Sequence, residues 1–132
     1  MTREEIRKAF VSDLISWDGV IDAYKDLTEN RKFEPPEDKT WVRLTLRYGE
    51  SFVGELGVGG IDIEGGIAFI DIFTVVDKGD SEGNELGEDL RARYKKQDIG
   101  DVSCNEVSIH PLGSDELYSH TQVQVIFNNF IE

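Results

Sequence analysis

The sequence predicts one α+β domain over residues 1–132: a small antiparallel or mixed β-sheet, two helices packed on one of its faces, and a glycine-rich β-hairpin arm. Two stretches repeat apolar residues at spacings of three and four, as amphipathic helices do. Several others alternate apolar and polar residues or run apolar without a break, as strands do. Successive strand segments are joined by short polar links, which favours antiparallel neighbours. The length suits a single core.

The first helix covers residues 1–17. Ile6, Ala9, Phe10, Leu14 and Trp17 form its apolar stripe, and Thr2 with Glu5 three residues on makes a capping box. Gly19 stops it. Residues 20–39 are a connection with a short extended piece, since Pro35-Pro36 permits neither helix nor central strand. Trp41 to Tyr48 follows as a strand with Val42, Leu44, Leu46 and Tyr48 on its core face and Trp41, Arg43, Thr45 and Arg47 on the other.

Residues 51–66 (SFVGELGVGGIDIEGG) hold six glycines among β-forming residues and read as an irregular hairpin or a mobile arm. Ile67 to Val76 is a nearly continuous apolar strand broken by Asp71, a pattern expected of a strand buried on both faces, by packing or by a partner chain. The second helix spans residues 81–97. Leu86, Leu90 and Tyr94 recur every four residues, with acids crowding the first half and bases the second, in the sense that complements the helix dipole. Two strands close the chain, Glu106 to Leu112 and His120 to Ile131, joined by a link at 113–118 read as a turn of helix.

Acidic residues number 27 against 14 basic ones, for a formal net charge of −13. A surface of that sign repels a phosphate backbone, so binding through counterion release is excluded. The single cysteine, Cys104, can form neither an internal disulfide nor a zinc site, and it suits a reducing compartment. The N-terminus lacks the apolar core of a signal peptide, and no apolar run is long enough to span a bilayer, so a soluble protein is expected.

Gly79-Asp80-Ser81-Glu82-Gly83 has the G-x-S-x-G spacing of a nucleophile elbow, with His110 or His120 as base and Asp101 or Asp115 to orient it. A doubly wound hydrolase sheet does not fit in a chain with two helices, however, and Asp80 and Glu82 would oppose a developing oxyanion. Turn glycines before a capped helix explain the stretch more simply. The same loop fails as a calcium loop: counted from Asp77, Gly79 falls where an oxygen ligand is needed and Glu82 where glycine is needed. The glycine clusters carry no G-K-[ST] and open no helix, so no nucleotide cofactor is expected. The two histidines have no partner spacing for a metal. No catalytic, cofactor or metal site is therefore expected.

A monomer has little use for an apolar glycine-rich arm, whereas a subunit of an assembly can add it to a neighbour's sheet edge. The succession EEIRKAFVSDLI, FEPPEDKTWVRLTLRYGE, the glycine-rich hairpin, GGIAFIDIFTVVDKGDSEG, NELGEDLRARYKK and two closing strands resembles the tail terminator proteins of long-tailed bacteriophages over nearly the whole chain. That resemblance implies a structural virion protein assembled in the host cytoplasm. It would form a homo-oligomeric ring, usually hexameric, that caps the tail tube protein, stops its polymerisation, and meets the head-tail connector or stopper protein. DNA passes through such a ring without specific binding, and no membrane or cofactor is involved. Phe52, Val53, Leu56, Val58, Ile61 and Ile63 are then expected at a subunit or tube interface, with Trp41 either there or simply packing. Asp62, Glu64, Asp77, Asp80, Glu82 and Glu85 are expected to face the channel or merely to solubilise the surface. The alternatives are another tail or neck component, such as a tube subunit or head-tail connector, and a small hydrolase using Ser81.

Overall fold

A computed structural model of the chain describes residues 2–28, 31–49, 52–53, 62–76, 81–115 and 117–131. Helix α1 (Arg3–Ser16) begins with the full capping box: the Thr2 hydroxyl accepts from the Glu5 N–H, and the Glu5 carboxylate accepts from the Thr2 N–H. A 3-10 turn (Asp22–Tyr24) leads to β1 (Lys25–Asp26), and the proline link leads to β2 (Trp41–Tyr48). Then come β3 (Phe52–Val53), β4 (Asp62–Val75), α2 (Ser81–Tyr94), β5 (Asp98–Ile99), β6 (Val102–Ser114) and β7 (Tyr118–Ile131).

The strands form one sheet in the order β1-β2-β4-β7-β6-β5, with β3 beside β4. The β1–β2 pair is parallel and every other pair antiparallel, so the sheet is mixed. The chain is an α+β protein. At the centre β4 pairs with β7 from Asp62↔Ile131 to Val75↔Tyr118.

Both helices lie on one face. Phe10 of α1 packs edge-on against Phe127 of β7 at 5.2 Å and against Tyr94 of α2 at 6.0 Å. Around them Ile6, Leu14, Leu44, Ile70, Leu90 and Val125 are all buried. Two side-chain links tie the helices together. The Arg93 guanidinium donates to the Asp13 carboxylate at 2.8 Å, and the Trp17 indole N–H donates to Asp89 at 2.7 Å.

The last turn of α1 carries no basic residue, yet its carbonyls are not left bare. Lys25, buried on β1, points its ammonium at them and donates to the carbonyls of Leu14 at 2.7 Å and Trp17 at 2.5 Å, while pairing with Asp22 at 2.9 Å. A cation from a later strand thus supplies the charge that the helix C-terminus favours.

The structure refines three expectations. Packing within the single chain buries one face of the central strand: Ala68, Ile70, Ile72 and Thr74 lie beneath the helices, while Ile67, Phe69, Phe73 and Val75 on the other face are half-covered. Leu86, Leu90 and Tyr94 of α2 pack on the core as read, Leu86 partly buried, and Gly83 and Gly87 extend the buried stripe. A Cβ on Gly83 would stand 2.9 Å from the Thr121 hydroxyl, and one on Gly87 3.3 Å from Ile109, so these glycines let the helix lie close on β7 and β6. Finally, the link at 113–118 is a tight hairpin turn and not helix: Asp115 accepts the N–H groups of Leu117 at 2.8 Å and Tyr118 at 2.7 Å.

Candidate interaction surfaces

Register and alternation place the face opposite the helices row by row. Trp41, Phe73 and His120 are cross-strand neighbours in one row, Arg43, Asp71, Gln122 and His110 in the next, and Thr45, Phe69, Gln124 and Ser108 in a third. The first row is a continuous stack. Trp41 lies on Phe73 at 4.2 Å and Phe73 on His120 at 4.5 Å; Phe33 from the proline link covers the far side of Trp41, and the Arg43 guanidinium sits 5.0 Å from the Trp41 ring.

The second row is polar. Asp71, 9% exposed, accepts from Gln122 at 3.0 Å and contacts the His120 ring nitrogen at 2.7 Å. Gln124 donates on to Gln122 at 2.8 Å. A strand that reads as apolar therefore tolerates Asp71 because β7 brings it two partners.

Among the described residues, both sheet edges lack a further strand over part of their length. On one side, β1 pairs with β2 only at Val42 and Arg43, so Leu44–Leu46, paired with β4, have no second strand neighbour among the described residues. On the other, the β6 ladder closes with the Lys96 N–H on the Asn105 carbonyl at 2.9 Å, and 106–114 have no strand beyond them among the described residues. Unpaired edges of this kind are the places where another chain adds a strand.

Of the residues expected at an interface, Trp41 is 4% exposed within the single chain, covered by its own aromatic neighbours. Phe52 and Val53 pair with Ile63 and Asp62, which pair with β7 on their other side, so β3 is a short strand of the main sheet. Leu56, Val58 and Ile61 lie outside the described residues. Among the expected channel acids, Asp62 and Glu64 fall on β4, and Asp77 and Asp80 lie outside the described residues. Glu82 is half-buried and accepts the Thr40 hydroxyl, which fastens the start of α2 to the start of β2. Glu85 is exposed, one helical turn from the Ser81 hydroxyl.

The serine stands apart from both histidines. Ser81 opens α2, which rests on Thr121 and Ile109 of the inner face, whereas His110 and His120 alternate to the outer face. The sheet separates them. Burial pushes the Cys104 thiol up to about 12, far from a thiolate nucleophile at neutral pH. No cluster of metal-binding side chains occurs among the described residues.

One feature escaped the sequence pattern. The two cavities flanking the open part of β2, each of about 400 Å³, are lined by Arg3 and Arg7 on the helix side and by Arg31, Arg43 and Arg47 on the outer side. These arginines come from three separate segments, so no basic block marks them along the chain.

No protein-family model matches the chain, and no curated protein matches it. A solved structure is similar over 100% of this chain and 96% of that chain, with a TM-score of 0.66 and 16% sequence identity. At that identity the likeness extends to the α+β fold alone. No helix among the described residues is long and apolar enough to cross a membrane.

Proposed function

We propose that the chain is a structural subunit of a phage tail, a terminator that closes into a ring, caps the tail tube and offers the surface on which the head docks. The observation that carries this reading is that, among the described residues, neither β2 at Leu44–Leu46 nor β6 beyond Asn105 has a further strand beside it, at opposite sides of one sheet. Joining one edge to the other in a neighbouring copy is a head-to-tail contact, and such contacts close into rings when the rotation allows.

Other features agree. The net charge of −13 suits a ring through which DNA passes without being held. The subunit acts by assembly and not by catalysis, consistent with the separation of Ser81 from His110 and His120 and with the inert Cys104 thiol. The resemblance in element order points to the terminator among tail and neck proteins.

The test is to add the purified protein to tube subunits polymerising in vitro. A terminator stops growth at one end and leaves short tubes bearing a terminal ring. A tube subunit co-polymerises, and a protein outside the tail leaves tube length unchanged.

A further inference from the structure

We infer that the tip of the β6–β7 hairpin, through the side chains of Leu112 and Leu117, docks into the cavity beside α1 and β1 of a second copy of this chain. The inference deepens the ring reading and rests on it, because it names the side chains by which one copy holds the next.

The tip offers a rigid apolar knob. Leu112 is 52% exposed and Leu117 63%. A single exposed leucine is ordinary, but these two flank one turn whose main chain is already tied down. Asp115 accepts the N–H groups of Leu117 and Tyr118 and donates its own N–H to the Tyr118 carbonyl at 2.9 Å, while the Leu117 carbonyl accepts the Val76 N–H at 3.1 Å. Leu112 falls at the register shift between Pro111 and Gly113. The backbone is thus committed and the two side chains are not, so little ordering is lost when they dock.

The cavity, of about 490 Å³, is walled by Val11 and Ile15 of α1 and by Ala23, Leu27 and Phe33 of the segment that follows. Ile15 is itself 51% exposed. Arg31 and Lys32 line it as well. Of the carboxylates among its described lining residues, Asp22 pairs with Lys25 and Asp26 with Arg43. The tip carries Asp115 and, next in sequence, Glu116. The N–H groups on Asp115 hold its carboxyl below the usual range, so it stays charged. Acids beside the leucines therefore meet bases beside the cavity.

The occupant is a second copy because the first cannot fill its own cavity. In the sheet, β2 and β4 stand between β1 and the β7–β6 pair, three strand spacings or about 14 Å. Knob and cavity are different patches toward opposite sides of one sheet, which makes their union head-to-tail, the kind of contact that closes a ring.

Two full-length variants provide the test: a tip variant, Leu112→Ser with Leu117→Ser, and a cavity variant, Ile15→Glu with Ala23→Glu, all at positions exposed in the single chain. Circular dichroism first establishes that both are folded; Ile15→Ser replaces the cavity variant if it is not. By light scattering the native chain associates, and each variant alone associates at least about tenfold more weakly. An equimolar mixture of the two forms a dimer near twice 14.9 kDa and nothing larger, because one intact tip meets one intact cavity and no second junction remains. Variants that self-associate as the native chain does, or a mixture that forms no dimer, overturn this inference and leave the ring reading standing. Variants with native self-association that no longer cap tail tubes overturn it too, and give these surfaces to the tube protein. A native chain that never associates, alone or on tubes, overturns both.

Discussion

Lys25 shows how much one side chain can do in this fold. Its ammonium is nearly removed from water and is the donor for the carbonyls of Leu14 and Trp17 at the end of α1. Lys25→Met keeps the apolar stem and deletes the donor, so those carbonyls lose their partner. A loss of about 2–3 kcal/mol in urea unfolding is expected. Leu44, 3% exposed on the core face of β2, sets the upper limit: Leu44→Asp buries a charge with no partner and should abolish folding, seen as loss of near-UV circular dichroism.

Cys104 gives a pH prediction at the same scale. Its thiol is raised in the folded state from 9.0 to about 12 by burial. Above pH 9 the unfolded thiol therefore releases its proton while the folded one keeps it, so stability falls as pH rises from there. Tyr94 is shifted upward by burial too and adds to the same slope. Urea midpoints measured between pH 8 and pH 11 should decline in the native protein, and less steeply in Cys104→Ala.

At the scale of elements, the close contact between β2 and β4 depends on Gly66. A Cβ there would lie 2.3 Å from the Arg47 carbonyl oxygen and 2.9 Å from the Phe127 ring. Gly66→Ala should cost about 1–3 kcal/mol, with the largest gain in amide exchange along β2 and β4. That glycine belonged to a cluster which, along the sequence, suggested only flexibility. Local signals were legible wherever they are self-contained: the Thr2–Glu5 capping box, the alternation of β2, and the acid-to-base order of α2 all appear as read. What escaped depends on a neighbour brought in by the fold. Gly83 and Gly87 read as breaks or fillers because the strands they rest on, at Thr121 and Ile109, are remote in sequence. Asp71 looked like an interruption until β7 supplied Gln122 and His120. The arginine cluster was hidden for the same reason, its members being scattered between Arg3 and Arg47.

For the whole molecule, one face of the sheet is filled by two helices, while the other presents an aromatic stack, a polar row and two unpaired edges. In the proposed ring, strands of neighbouring copies complete this sheet. Stability and association should therefore be linked, with the unfolding midpoint rising as protein concentration rises.

The most direct test of the central claim is the mass of the purified chain by light scattering over a range of concentrations, with electron micrographs of the same sample. The account predicts a closed ring of 14.9 kDa subunits, hexameric by the tail resemblance, with a central hole wide enough for duplex DNA. A compact species of 14.9 kDa at every concentration, both alone and in the presence of tail tubes, would contradict it.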